Sequence, residues 1–367
     1  MTDLALPRLP EPYALGKAEK AAYLGAELAA LHAFHRERCP AYDRIVSGVR
    51  LELPATGGGA LEDLPFLPVS LFKAEHLASV PASAVVKVLT SSGTTGQRPS
   101  RVPLDRDTAS LQSRALTSIL RAELGAARLP MAFVDHPGVV KDRAEFSARG
   151  AGLLGFATFG RDHVYLLGED MRPDWGALES FQSRFGSGPV FFFGFTFMVW
   201  RHLVEAARRE DRRFDFPGGI LLHGGGWKKL AEEQVGAGEF RDALRERFGI
   251  GRVVNYYGMV EQAGSVFVEC AEGHLHAPAF AEVIVRDPRT LRPLSFGASG
   301  LLQVLSVVPR SYPGHSLLTE DLGVIEGEDD CPTGRLGRYF RVSGRAPQAE
   351  LRGCSDTHAA SVEGARG

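Results

Sequence analysis

The chain has 367 residues, of which 44% are hydrophobic, enough for one large domain or two to three smaller ones with a sizeable core. Its 42 Lys and Arg nearly balance 44 Asp and Glu, so no broad basic surface for nucleic acid or an anionic membrane is expected. The N-terminus lacks the order of a signal peptide, no apolar run approaches a membrane span, and four scattered cysteines exclude a disulfide framework, so we expect a cytoplasmic protein.

Apolar residues at helical spacing predict a helix over 17–38, and a connector containing Pro and Gly follows through Gly59. We assign residues 1–60 to an N-terminal helical region. Further along, the apolar run 84–89 leads into TSSGTTG at 90–96. A second helix is predicted over 105–124.

The middle of the chain alternates short apolar runs with helical patterns. Buried strands are predicted at 131–135, 189–193, 219–223 and 252–257, with a helix over 231–248. This alternation favours an α/β sheet. From 279 to 308, shorter runs broken by Gly and Pro predict a mixed or antiparallel β subregion, with strands at 281–285 and 300–305. After about Ala359 the composition indicates a disordered tail.

The stretch TSSGTTG is unusual because it combines hydroxyl groups and glycines at the end of a predicted strand. Such an end exposes backbone N–H groups and short donors in a concave arrangement that suits phosphate oxygens. A flexible surface loop is the alternative, because Ser, Thr and Gly are common loop residues. The stretch matches neither GxxxxGK[ST] nor GxGxxG, so another kind of phosphate-binding loop is indicated.

Five motifs, in this order, resemble those of the adenylate-forming superfamily: SSGTTG (91–96), HGGG (223–226), NYYGMVE (255–261), TEDLG (319–323) and GRYFRVSGR (337–345). Within that superfamily the chain is most similar to the acyl-protein synthetases of bacterial bioluminescence, through HGGGWKK (223–229), SYPGHSLLTEDLG (311–323) and AELRGCSDTHA (349–359). Phenylacetate-CoA-ligase-like enzymes are the next relatives. The similarity extends over nearly the whole chain.

This resemblance implies an α/β fold with mixed sheets and helices, like the large domain of adenylate-forming enzymes, and a β-rich subregion. It places that domain at 1–340 and a strongly shortened C-terminal lid at 341–367. Relatives that use coenzyme A continue for a mobile domain of roughly 100 residues, which supplies an essential lysine. Here Ala346 and Pro347 stand at the hinge, and Lys228 or Lys229 is the predicted replacement for that lysine.

The resemblance also implies ATP and Mg²⁺ as cofactors and assigns residues to them. The ATP phosphates are expected at Ser91, Ser92, Gly93, Thr94, Thr95 and Gly96, and the nucleoside at Gly224, Gly225, Gly226, Tyr256, Tyr257, Gly258, Asp321 and Arg345. Tyr257 would flank the adenine, while Asp321 and Arg345 would hold the ribose. Glu261 would bind Mg²⁺, since hard cations prefer carboxylate and phosphate oxygens. Plain turns and solvated surface charges are the alternatives.

Two features of the phosphate loop and the sheet remain open. The usual lysine after the loop is absent, and Arg98 or Arg101 offers a positive charge instead. The aromatic run 190–200 reads as core, yet its part around Gly194 and Phe195 matches the acyl pocket of relatives and would suit a long aliphatic or aromatic carboxylate.

Cys354 is the predicted nucleophile. Cationic neighbours such as Arg352 and His358 would lower its pKa, and Gly353 leaves room for an electrophile. In the acyl-protein synthetases, a cysteine near the C-terminus accepts the acyl group from acyl-AMP. An incidental cysteine in a frayed tail is the alternative reading.

The sequence therefore predicts activation of a carboxylic acid, by resemblance a fatty acid, as acyl-AMP. The acyl group would pass to Cys354 and then to a partner, by analogy an acyl reductase. A ligase that releases the acyl group to coenzyme A or a carrier protein remains open, as does a catalytically inactive nucleotide-binding subunit.

Four further side chains, those of Cys270, His274, His276 and Cys331, are of the types that zinc prefers. Their spacing is not a strong metal signature. It favours separate, unligated side chains.

Overall fold

The computed structural model describes residues 4–48, 61–91, 99–140, 148–227 and 235–346. The helices are α1 (Lys17–Arg38), α2 (Pro40–Gly48), α3 (Leu71–Ala74), α4 (Arg106–Leu124), α5 (Ala148–Ala157), α6 (Trp175–Phe185), α7 (Thr196–Met198), α8 (Glu205–Arg209) and α9 (Ala237–Phe248). A π-helical segment, Val199–Val204, joins α7 to α8, and short 3-10 helices lie at Leu61–Asp63, Ala82–Ala84, Pro137–Val140 and Val260–Gln262.

The strands are β1 (Leu67–Pro68), β2 (Lys87–Thr90), β3 (Arg101–Leu104), β4 (Leu129–Phe133), β5 (Gly160–Tyr165), β6 (Val190–Phe195), β7 (Gly219–Gly224), β8 (Arg252–Tyr257), β9 (Phe267–Glu269), β10 (Leu275–His276), β11 (Ala281–Arg286), β12 (Ser299–Ser306), β13 (Ser316–Glu328) and β14 (Arg338–Arg345). They form a 12-stranded sheet in the order β11-β12-β13-β14-β10-β9-β8-β7-β6-β4-β5, with β1 beside β13, and a separate β2–β3 pair.

The large sheet has a parallel half and an antiparallel half. Strands β5, β4, β6, β7 and β8 are parallel to one another. On the other side of β8, each strand is antiparallel to the next, in the order β8-β9-β10-β14-β13-β12-β11. Every residue of β4 and β6 is buried, as expected for strands covered on both faces. The predicted α/β fold with mixed sheets and a β-rich subregion is confirmed.

Three predicted elements agree with the structure within one residue at their start. The helix predicted over 17–38 is α1, and the strand predicted over 252–257 is β8. Helix α4 begins one residue after the predicted start because Asp105 caps it, accepting a hydrogen bond from the Thr108 N–H at 2.8 Å.

Other boundaries were wrong. The connector predicted through Gly59 contains α2, whose first residue, Pro40, suits the first turn of a helix. The strand predicted at 131–135 is β4, which spans Leu129–Phe133 and so begins and ends two residues earlier than predicted. Helix α9 begins at Ala237 rather than at 231, and residues 231–234 lie outside the described ranges.

The N-terminal helix is tied to the far edge of the sheet by a buried ion pair. Lys20 Nζ lies 3.2 Å from Glu282 Oε2 on β11, and both side chains are at most 4% exposed. The same ammonium donates to the Ala277 carbonyl at 3.0 Å. Among the described residues, no helix combines the length and apolar character that crossing a membrane requires.

Candidate functional site

The site is built at the sheet edge where three parallel strands end. Phe195 at the end of β6 is in register with Gly224 at the end of β7, which in turn pairs with Tyr256 on β8. In open α/β sheets, ligands bind at the carboxyl ends of parallel strands, especially where the strand pattern changes. Here the change from parallel to antiparallel pairing falls between β8 and β9.

The glycine turn after β7 needs residues without side chains. A Cβ on Gly224 would lie 2.6 Å from the Tyr256 ring, and one on Gly225 would lie 2.9 Å from the Phe195 ring. Gly225 and Gly226 also have φ angles of 81° and 60°, in the left-handed region that favours glycine. The turn therefore brings bare backbone to the sheet edge, and its contact with an adenine stays a prediction.

Tyr257, Asp321 and Arg345 come together beside this edge. The Tyr257 hydroxyl donates to Asp321 Oδ2 at 2.7 Å, and Arg345 Nε lies 3.8 Å from Asp321 Oδ1. Asp321 and Arg345 are directly opposite each other on β13 and β14. The three residues lie far apart in sequence, and the structure brings them together; their contact with a nucleoside stays a prediction.

The electrostatics of this cluster centre on the Asp321 carboxylate. Burial raises its pKa above the ordinary value, while the Tyr257 hydrogen bond and the Arg345 charge oppose that shift. Burial also raises the pKa of Tyr257, and the neighbouring Asp321 adds to the increase. The tyrosine is therefore a neutral donor and the carboxylate a shielded acceptor at neutral pH.

Thr319 fixes the direction of Asp321, a role that the sequence did not reveal. Its hydroxyl donates to the Leu302 carbonyl on β12 at 2.9 Å and accepts from the Asp321 N–H at 3.1 Å. The sequence feature that could have indicated this role is the threonine two residues before the aspartate in TEDLG.

Glu261 lies in the 3-10 helix after β8 and is only 6% exposed. Burial raises its pKa, against opposing effects of the Ser100 hydroxyl and, more weakly, of the Lys73 ammonium. Ser100 in turn bonds Ser91: its N–H donates to Ser91 Oγ at 2.9 Å, and Ser91 N–H donates to the Ser100 carbonyl at 3.2 Å. The two flanks of the predicted phosphate loop thus lie beside the predicted metal ligand.

Gln262 and Gly314 hold Glu261 in place, and both were missed from sequence. The Gln262 side-chain amide donates to the carbonyls of Val304 and Gly314, at 3.0 and 2.9 Å. A Cβ on Gly314 would lie 2.7 Å from the Glu261 carbonyl oxygen, so only glycine allows this approach. The motif SYPGHS therefore acts as a support for the 3-10 helix.

The end of β7 is fastened to α7 through His223. The Thr196 hydroxyl donates to the Gly224 carbonyl at 3.1 Å, so the His223 Nδ1–H is the donor in the 3.0 Å contact with Thr196 Oγ1. Burial lowers the pKa of His223 to about 3, which keeps the imidazole neutral.

The expected acyl-pocket segment divides into two parts. A Cβ on Gly194 would lie 2.9 Å from Val134 Cβ and 2.8 Å from Val199 Cγ2, so Gly194 belongs to the core. Phe195 lies against the glycine turn at the sheet edge. Only this second part is placed where it could meet a substrate.

The remaining predicted residues have two outcomes. Gly258 follows β8 and packs near Val266, and Arg101 is exposed at the start of β3. Residues Ser92, Gly93, Thr94, Thr95, Gly96, Arg98, Lys228, Lys229 and Cys354 lie outside the described residues.

Glu261 fits a bound Mg²⁺ on one observation. Its carboxylate is buried with a raised pKa, a shift that a cation on its oxygens would reverse. When bound, Mg²⁺ would neutralise phosphate charge at this point. The Glu261 carboxylate would supply an oxygen ligand to that ion, beside the two flanks of the phosphate loop.

The fold is that of a solved acyl-CoA ligase. A crystal structure of 2-hydroxyisobutyryl-CoA ligase, in complex with 2-HIB-AMP and CoA, has the same fold, with a TM-score of 0.70 at 22% identity. The match covers 92% of this chain and 70% of that one.

Residues 3–362 match the family described as Acyl-protein synthetase, LuxE, and the chain belongs to this family. The long-chain-fatty-acid–luciferin-component ligase of Vibrio harveyi is 26% identical over 324 residues, covering 80% of this chain and 77% of the relative. The ligase of the same name from Aliivibrio fischeri is 23% identical over 283 residues, covering 72% and 70%. The chain is therefore an ATP-dependent ligase of the acyl-protein synthetase type, which activates an acyl group as its adenylate.

Proposed function

We propose that the protein activates a fatty acid as acyl-AMP, transfers the acyl group to Cys354 and delivers it to a partner acyl reductase. The observation that carries the first step is the meeting of Tyr257, Asp321 and Arg345 at the sheet edge. Two curated relatives named as long-chain-fatty-acid ligases support a fatty acid as the substrate.

Asp321 binds the ribose in this proposal. Its carboxylate oxygens accept hydrogen bonds from the two ribose hydroxyls, and Arg345 donates from the opposite strand. Tyr257 gives up or shares its 2.7 Å hydrogen bond as the sugar arrives. Because Arg345 is 68% exposed and 3.8 Å away, its side chain has room to turn toward the ligand.

Activation begins when a carboxylate oxygen attacks the α-phosphorus of ATP. One new P–O bond forms, the bond to the β-phosphate oxygen breaks, and pyrophosphate leaves with both electrons of that bond. The protein contributes position and charge: Asp321 fixes the sugar, and Glu261 holds a ligand oxygen beside the loop flanks. The hydroxyl-rich loop 91–96 and Lys228 or Lys229 would receive the leaving group.

Cys354 receives the acyl group in the second step. Its thiolate attacks the carbonyl carbon of acyl-AMP and forms a thioester bond. The bond from that carbon to the AMP phosphate oxygen breaks, and AMP leaves with the negative charge on its phosphate. A thiolate of the partner then attacks the thioester carbonyl, a new thioester bond forms on the partner, and the Cys354 thiolate leaves and is ready for another cycle.

The decisive experiment combines two assays on the purified full chain. Carboxylate-dependent ATP–pyrophosphate exchange, measured with acids of increasing chain length, should be strongest with long-chain fatty acids. Intact-mass measurement with the best acid should then show one added acyl group. Cys354→Ser should keep the exchange and lose the added mass, whereas Cys39→Ser, which removes a buried thiol elsewhere, should keep both.

Each alternative gives a different pattern. Acyl-CoA formation from added coenzyme A without a labelled chain would favour an external acceptor. No exchange with any acid would refute activation itself, and an acylated Cys354→Ser protein would refute the nucleophile.

The ribose role has its own test. Asp321→Asn removes a charge-assisted hydrogen bond, worth about 1.5–3 kcal/mol, so the KM for ATP should rise roughly 10- to 150-fold. Asp242→Asn removes an exposed carboxylate on α9 and should leave the KM unchanged. Equal KM values in the two variants would contradict the assignment.

A further inference from the structure

Three potential metal ligands lie together at the end of the sheet away from the nucleotide edge. The ligand atoms of Cys270, His276 and Cys331 all lie within 4.8 Å of one another, and all three residues are buried. Cys270 follows β9, His276 ends β10, and Cys331 lies in the β13–β14 connection. The β9–β10 hairpin and the β13–β14 connection therefore meet at one point.

We propose that Cys270, His276 and Cys331 bind a zinc ion that holds the β9–β10 hairpin against the β13–β14 connection. Zinc takes thiolate and imidazole ligands in tetrahedral geometry, with Zn–S distances of about 2.3 Å. Two sulfurs at that distance, separated by the tetrahedral angle of about 109°, lie about 3.8 Å apart. The two Sγ atoms here are 3.9 Å apart, which is the separation of co-ligands and far from a disulfide bond of about 2.05 Å.

The imidazole of His276 gives independent support. It is 0% exposed, and neither ring nitrogen has a hydrogen-bond partner. A buried polar group without a partner costs roughly 1–3 kcal/mol, and native structures rarely leave both nitrogens of a buried histidine in that state.

His274 lies outside this group. Its ring stacks on Tyr339 at 4.6 Å, and its Nε2 is 3.7 Å from Glu326 Oε2. Of the four side chains considered from sequence, three therefore form the site, and His274 does not. Within the part of the chain that the structure describes, the fourth ligand of the tetrahedron is not a protein group. Thr333 Oγ1, 3.1 Å from Cys331 Sγ, is placed to donate to that sulfur as a thiolate.

The position of the site makes its role structural. From Asp321 to the end of β13 at Glu328 the chain runs seven residues, about 23 Å at the usual strand rise. By the shorter route, Cys270 lies three residues, about 10 Å, beyond Phe267, which pairs with Tyr257, so the ion does not contact the residues assigned to the nucleotide. It joins the β9–β10 hairpin to the β13–β14 connection, whose strands carry Asp321 and Arg345.

The test is elemental analysis of full-length protein purified without a metal-affinity tag. Wild type and Cys39→Ser should each carry about one zinc per chain, and Cys270→Ser and His276→Gln should each lose at least about tenfold in zinc content. Removing zinc from wild type with a chelator should lower the midpoint of thermal unfolding, and adding it back should restore that midpoint.

A second measurement on wild type alone guards against variants that do not fold. Replacing zinc by Co²⁺ should give the absorption bands of a tetrahedral cobalt site with thiolate charge transfer. Wild-type protein that lacks zinc and takes up neither Zn²⁺ nor Co²⁺ overturns the proposal. A Cys270–Cys331 disulfide found by mass spectrometry in freshly prepared protein overturns it as well.

Discussion

Lowering the pH from 7 to 5 should destabilise the protein through His35, which is 0% exposed. Its Nδ1 lies 2.8 Å from Ser79 Oγ, and its ring stacks on His315 at 5.0 Å. Burial lowers the pKa of His35 to about 3, and the nearby Arg310 adds to this effect while the Pro309 backbone opposes it. The folded protein therefore resists a proton that the unfolded chain accepts.

The sign and size follow from proton linkage. In the unfolded chain, histidine has a pKa of about 6.5. Between that value and about 3, the unfolded state binds one more proton at His35, so stability falls as the pH falls. For each pH unit below 6.5 the free energy of unfolding falls by about 1.4 kcal/mol. At pH 5, 1.5 units below that value, the loss is therefore about 2 kcal/mol. The pKa of His315 is also lowered by burial and acts in the same direction.

Urea unfolding at several pH values between 7 and 5 measures this effect. The variant His35→Gln keeps a hydrogen-bonding group that cannot take up a proton, so its stability should fall by about 2 kcal/mol less than that of wild type. His76→Gln replaces an exposed histidine and should follow the wild-type slope. If His35→Gln and wild type lose the same free energy, the buried imidazole is not the cause and the reasoning fails.

Three other predictions concern the glycine turn, the buried ion pair between α1 and β11, and Glu261. Gly226→Ala should cost about 1–2 kcal/mol in urea unfolding from backbone strain alone, and Gly225→Ala should cost more because its Cβ also meets Phe195; equal costs would contradict this. Lys20→Met should cost about 3–5 kcal/mol by leaving Glu282 buried and unpaired, and adding Glu282→Gln should recover part of that loss. Glu261→Gln should lower ATP–pyrophosphate exchange at least about 100-fold. Because it removes a carboxylate whose burial is costly, it should also raise the free energy of unfolding at neutral pH, and a lower free energy of unfolding would contradict this reasoning.

Sequence patterns predicted the elements whose stability is local. Helix α1 and strand β8 have the predicted bounds because their apolar spacing is uninterrupted, and Asp105 caps α4 with its own side chain. The ends of strands that are set by pairing with neighbouring strands were harder to predict from the sequence. Strand β4 begins and ends two residues before the predicted strand because its bounds follow its pairing with β5 and β6, which the local sequence pattern does not record.

The site shows the same division. Motifs identified Tyr257, Asp321 and Arg345 one at a time, but the 2.7 Å contact between Tyr257 and Asp321 joins residues 64 positions apart. The supports Gln262 and Gly314 were missed because their roles lie in bonds to backbone carbonyls, for which side-chain type gives no signal. Register and long-range backbone bonding are properties of the folded sheet.

The placement of Glu261 explains why such supports are needed. A carboxylate that is 6% exposed is held there against the cost of burial, as its raised pKa indicates. Two Gln262 hydrogen bonds and the close approach at Gly314 resist its movement to solvent. If Glu261 binds Mg²⁺ as predicted, the cation would offset the cost of burying the ionised carboxylate, and the supports at Gln262 and Gly314 would keep its oxygens in place for that contact.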